Sequence, residues 1–82
     1  MKTNDIKKGT RIKLRNGWEA IMEDNRKGNT RMAKVFGMFT EIGSVYSHDI
    51  VAVQREDGSW NYEIEYTKSQ KECKAMAGAF GF

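Results

Sequence analysis

Between Thr10 and Arg15 apolar and polar residues alternate strictly, so Ile12 and Leu14 fall on one side of an extended chain and Arg11, Lys13 and Arg15 on the other. The pattern predicts a half-buried strand with a basic outer face. Asn16-Gly17 follows; both residue types tolerate positive φ, which makes the pair a strong hairpin signal. The chain is then expected to return through residues 18–23. A two-residue type I′ turn would set Arg15 against Trp18, Lys13 against Ala20 and Ile12 against Ile21, leaving Trp18 among the bases. A bulge or longer loop would instead move Trp18 to the core face with Ala20 and Met22. Periodicity leaves both registers open.

Further along, residues 24–30 form a polar, glycine-containing turn, and residues 31–36 read as a third strand. Gly37 marks a bend before Met38-Phe39, with extended structure continuing over 41–46. Ser47-His48-Asp49 reads as a short turn, residues 50–55 are β-rich, and Glu56-Asp57-Gly58-Ser59 is a second hairpin turn. Trp60, Tyr62, Ile64 and Tyr66 then alternate with Asn61, Glu63 and Glu65, which predicts one aromatic and one acidic face. At Thr67 the period changes. Thr67 and Gln70 have capping-box spacing, and Cys73, Met76, Ala77 and Phe80 share one helical stripe, so a C-terminal helix is expected over 67–80. The fold class is mainly β: a small SH3-like curled sheet or barrel of about five antiparallel strands with one C-terminal helix. Curling is the economical solution, because a flat sheet this small exposes both edges.

Eighty-two residues make one domain, with the β part over about 6–66 and the helix over 67–80. The net charge is only +3, but it is unevenly spread: residues 1–34 carry ten bases and four acids (10 − 4 = +6), and residues 35–82 four bases and seven acids (4 − 7 = −3). A basic half of this kind attracts polyanions or an acidic protein face. The single cysteine, Cys73, cannot close an intrachain bridge, which points to a reducing cytoplasm. The first residues are charged with no apolar run behind them, and the weakly polar stretch 75–82 is far shorter than the roughly 20 residues a membrane span requires, so no membrane partner is expected.

The candidate chemistry is that of binding. Arg11, Lys13 and Arg15 can neutralise phosphates, and Trp18, in the type I′ register, can stack on an unpaired base. The 25–31 loop adds Arg26, Lys27 and Arg31 with flexible backbone donors, although it lacks the ending of a nucleotide-binding loop. Trp60, Tyr62 and Tyr66, with Phe80 and Phe82 of the tail, offer an alternative aromatic surface for a protein partner. His48-Asp49 reads as a structural turn, since neighbours on an extended chain point apart. One histidine and one cysteine do not make a four-ligand zinc site. No catalytic group, metal or cofactor is expected.

The segment Ile6-Lys7-Lys8-Gly9-Thr10-Arg11-Ile12-Lys13-Leu14-Arg15-Asn16-Gly17, with the later Gly43-Ser44-Val45-Tyr46-Ser47-His48-Asp49-Ile50, resembles small SH3-like barrels of the KOW kind over about residues 6–66. The whole chain is similar to short accessory proteins carried by tailed bacteriophages. The first resemblance implies contact with RNA, ribosomes or RNA polymerase; the second implies a protein that captures a host factor in the host cytoplasm. Two expectations follow. One is a non-enzymatic module docking on nucleic acid or a nucleoprotein machine through its basic strand face and loop. The other is an inhibitor or adaptor binding a host protein through its aromatic strand, helix and tail.

Overall fold

A computed structural model describes residues 1–79. The chain is mainly β, with one antiparallel six-stranded sheet, curled but unclosed, and one C-terminal helix. The elements are β1 (Arg11–Leu14), β2 (Glu19–Met22), β3 (Thr30–Phe36), β4 (Thr40–Tyr46), β5 (Ile50–Gln54), β6 (Trp60–Asn61) and α1 (Lys68–Ala79). Two single 3-10 turns, Thr3–Asp5 and Ser47–Asp49, precede β1 and β5. The strand order is β4-β3-β2-β1-β5-β6, so β4 and β6 are the edges.

Six strands rather than five arise because the chain reverses direction at Gly37, Met38 and Phe39, where the Gly37 N–H bonds the Phe39 carbonyl at 3.3 Å. β3 and β4 are the two arms of a seven-pair hairpin, from Thr30 opposite Tyr46 to Phe36 opposite Thr40. The aromatic strand expected over 60–66 is cut to Trp60–Asn61. The Ile64 N–H turns back to the Tyr62 carbonyl at 3.1 Å, and the Asn61 side chain accepts from the Glu63 N–H at 3.0 Å. These local bonds take the chain out of the ladder. The N-terminus takes over as partner, with Thr3 N–H on the Glu65 carbonyl at 3.0 Å and Glu65 N–H on the Met1 carbonyl at 2.8 Å.

The first hairpin takes the longer-loop register. Ile12 pairs with Ala20 and Lys13 with Glu19, and Leu14 N–H bonds the Trp18 carbonyl at 2.7 Å. Arg15-Asn16-Gly17 is thus a three-residue loop, and Gly17 at φ +91° supplies its left-handed position. The result is that Ile12, Leu14, Ala20 and Met22 all face the core, where they meet Ile6, Ala33, Ile50 and Val53.

The capping box forms as expected: Gln70 N–H bonds Thr67 Oγ1 at 3.1 Å, and Thr67 N–H bonds Gln70 Oε1 at 2.9 Å. Of the expected apolar stripe, only Cys73 and Met76 have described side chains, and the buried residue of the helix among those described is a polar one. Met76 is 60% exposed, whereas Gln70 is fully buried. Gln70 accepts from Thr3 Oγ1 at 2.5 Å and donates to the Gly28 carbonyl at 2.8 Å and to Asn4 Oδ1 at 3.3 Å. A polar staple therefore ties the helix to the N-terminal turn and the β2–β3 loop, and a buried amide with every valence used is tolerated.

Candidate nucleic-acid interface

The alternation of β1 places Arg11 and Lys13 on the outer face of the sheet, and the register adds their neighbours. Lys13 lies between Glu19 and Ala52, while Glu19 in turn opposes Phe36. Gln54 opposes Trp60 on the far side. The Lys13 ammonium sits 4.5 Å from the Trp60 ring centre and 5.2 Å from that of Tyr62, and donates to the Tyr62 hydroxyl at 2.7 Å. The Arg11 guanidinium lies 5.1 Å from the centre of the Phe36 ring and pairs with Glu19 at 2.7 Å. Lys34 stands beside Ile21 on the same face. Two cations laid on three aromatic rings, with the Glu19 carboxylate between them, thus face outward across five strands, and Lys13 with its two rings is the part of this face whose charge no carboxylate meets among the described residues.

The structure redistributes the sequence-predicted residues. Trp18 is not among the bases. It is 44% exposed on the core side of the rim, where its ring covers Gly37; a Cβ there would fall 2.4 Å from Trp18 Cζ3, so Gly37 allows the close approach. Arg15 leaves the open face for the end of the sheet, where it pairs with Asp49 and reaches His48 Nδ1 at 3.2 Å. Among the described residues Lys13 pairs with no carboxylate.

Arg31 is withdrawn altogether at 2% exposed. Its Nε donates to Asp24 at 2.7 Å, and its terminal nitrogens donate to the carbonyls of Ile6 at 2.7 Å, Asp24 at 2.9 Å and Thr3 at 3.2 Å. The Asp24 carboxyl also accepts the Met32 N–H at 2.7 Å and the Arg26 N–H at 3.2 Å. Burial pushes the Asp24 carboxyl up, but the Arg31 hydrogen bond, the two backbone N–H groups and the Arg31 charge outweigh it and hold the group below its usual range. The loop that was expected to cradle a phosphate spends its donors internally as well: Gly28 N–H bonds Asn4 Oδ1 at 3.1 Å. Arg26 and Lys27 are exposed on it.

Of the alternative aromatic set, Trp60 and Tyr62 belong to the patch just described, and Tyr62 is 59% exposed. Tyr66 is tied down, its hydroxyl donating to the Ile50 carbonyl at 2.6 Å. Phe80 and Phe82 lie outside the described residues. His48 and Asp49 do not point apart: the 3-10 turn brings Nδ1 and Oδ1 within 3.3 Å, while Ser47 Oγ donates to the Gly28 carbonyl at 2.6 Å.

Sequence reasoning missed an exposed apolar set among the described residues. Met38 is 86%, Phe39 75%, Ile42 63% and Tyr46 49% exposed, all on the β3–β4 hairpin. A signal was present: no lysine or arginine occurs from Val35 to Gln54. No described helix is long and apolar enough to cross a membrane. No family model, curated protein or solved structure matches this chain.

Proposed function

We propose that the protein is a non-enzymatic binding module that docks on single-stranded nucleic acid, free or within a nucleoprotein, through the outer face of its sheet. The observation that carries this reading is the Lys13 ammonium laid over Trp60 and Tyr62 on the same open face as Arg11 over Phe36. Bases stack on exposed rings, and the adjoining cations neutralise the phosphates between them. The reading is narrower than a basic strand face with a basic loop. Arg15 and Arg31 are held by Asp49 and Asp24, and Arg11 is shared with Glu19, so the working set centres on Lys13, Phe36, Trp60 and Tyr62, with Arg11 and Lys34 at its border and Arg26 and Lys27 as distant contributors to attraction.

Fluorescence anisotropy with labelled 12–16-nucleotide oligo(dT) and oligo(U) tests it. Contact with two or three phosphates predicts a slope of log K against log salt of about −1.4 to −2.1. Trp60→Ala should weaken binding about tenfold, within the range for loss of one stacked base, and Lys13→Gln should reduce the salt slope by roughly 0.7. Binding that is absent at low ionic strength, or that ignores both salt and these substitutions, would refute the reading.

A second reading, an inhibitor or adaptor of a host protein, is favoured by the exposed apolar hairpin, whereas the sequence placed it on the aromatic strand with Trp60, Tyr62 and Tyr66, the C-terminal helix and the Phe80/Phe82 tail.

A further inference from the structure

β4 is an edge strand of seven residues with no proline, no lysine and a single charge, Glu41, so it lacks the usual devices that keep an open edge from pairing. Its hydrogen-bonding alternation is fixed at one end. The Ser47 N–H bonds the Asn29 carbonyl at 2.8 Å, and on the other side of β3 the Glu23 N–H bonds the Met32 carbonyl at 2.9 Å. Counting by twos along the ladder, Glu41, Gly43 and Val45 direct their backbone groups to β3, and Thr40, Ile42, Ser44 and Tyr46 direct theirs outward to the open edge.

We infer that the occupant of this edge is a second copy of the chain, paired antiparallel about a two-fold axis at Gly43. That register alone engages all four outward residues, with Thr40 opposite Tyr46 and Ile42 opposite Ser44 of the second copy and the reverse, giving about eight backbone hydrogen bonds between chains. The inference is independent of the nucleic-acid reading.

Three further observations agree with it. Gly43 is unexplained within one chain: its φ is not positive, and an added Cβ would meet nothing within 4 Å. Glycine inside a strand costs about 0.5–1 kcal/mol, and it often marks a place where another backbone comes close. On the axis, the two Gly43 residues form a non-hydrogen-bonded pair, the closer-spaced kind. Next, the two Glu41 residues lie four positions apart along the paired strands, about 14 Å, which is beyond the screening length at physiological salt. Their repulsion is small.

Last, the register carries the hairpin tip of one copy past Tyr46 of the other, toward a hollow of about 500 Å³ lined by Leu14, Val45, Tyr46 and Asp49 among others. Met38 and Phe39, the two most exposed large apolar side chains among the described residues, are at that tip. Counting a large side chain at roughly 200 Å², Met38, Phe39, Ile42 and Tyr46 offer about 500 Å² per copy. A stable interface needs about 800 Å² per partner, and the strand backbone and its polar side chains supply the remainder.

Sedimentation equilibrium of the full chain from 5 to about 500 μM, at low and high salt, tests the inference. The expected mass rises from 9.4 kDa to twice that value and does not fall with added salt. Ser44→Pro removes an outward N–H and one exposed hydroxyl contact to the Met32 sulfur at 3.5 Å, so the far-ultraviolet spectrum should be kept while the mass stays at one chain. Ile42→Lys places like charges across the axis and should weaken association at least tenfold without touching the backbone. Phe39→Ser should weaken it by a smaller factor. A native chain that remains monomeric throughout, or that captures only a foreign protein at this edge, overturns the proposal. So does a dimer that survives both Ile42→Lys and a folded Ser44→Pro.

Discussion

The two ends of the sheet invert the usual division between inside and outside. Where the N-terminal turn, the β2–β3 loop and the helix meet, the buried side chains are polar: Thr3, Arg31, Ser47 and Gln70 are all within 2% of complete burial. Along the β3–β4 hairpin the exposed side chains are apolar: Met38, Phe39, Ile42 and Tyr46. A chain this small has few apolar residues to place. Polar staples here hold together segments that have no strand ladder of their own, namely the first six residues and the helix. That leaves Met38, Phe39 and Ile42 uncommitted along one edge, with the Tyr46 ring beyond them stacked on His48 at 5.0 Å, and exposed apolar side chains gathered on a small protein mark an interaction surface.

The contrast can be broken most forcefully at Arg31. Arg31→Met leaves Asp24 without its buried partner and should cost about 3–5 kcal/mol, read as a lowered urea midpoint. Combining it with Asp24→Asn should cost clearly less than the two single substitutions added together, because the uncompensated charge is gone. Gln70→Ala removes a fully buried amide from four hydrogen bonds and should cost about 2 kcal/mol, with helical ellipticity falling more than the strand signal.

Acid sharpens the same comparison more mildly. Because the Asp24 carboxyl is held below its ordinary value of 3.8, its contribution is intact above that pH and is lost as pH falls through the lower, folded value. Urea midpoints of the native protein should therefore drop more steeply below about pH 4 than those of Asp24→Asn. At the apolar end, Met38→Ser and Phe39→Ser should change stability of the single chain by no more than about 0.5 kcal/mol, measured at low micromolar concentration.

Local signals in the sequence were the readable ones. Asn16-Gly17 marked a real hairpin, Asp57-Gly58 a real turn and Thr67/Gln70 a real cap, because each depends on groups within a few residues. The hairpin register was not readable: one additional loop residue moves every side chain of β2 to the other face, and that choice is made by the core. So Trp18 left the basic face, and the aromatic rings beside Lys13 came from β6 and the residue after it, about fifty positions away. Arg31 could have been suspected, since Arg31, Ala33 and Val35 alternate onto the apolar side of β3. The carbonyls that make its burial tolerable belong to Thr3 and Ile6, and no spacing rule connects those to residue 31. The two-residue β6 shows the same limit, because an alternation that fits a strand was overruled by the Asn61 side chain and by the N-terminus competing for the same backbone.

Amide hydrogen exchange resolved to single residues, run on dilute and concentrated protein, tests the central contrast most directly. At low concentration, the amides of Gly28 and Met32, which bond side-chain oxygens at the polar end, should be protected. Those of Ile42 and Ser44 should exchange freely beside slow Gly43 and Val45, and should become protected as concentration rises. Uniform protection along β4 in the dilute chain, or unprotected amides at Gly28 and Met32, would contradict the account.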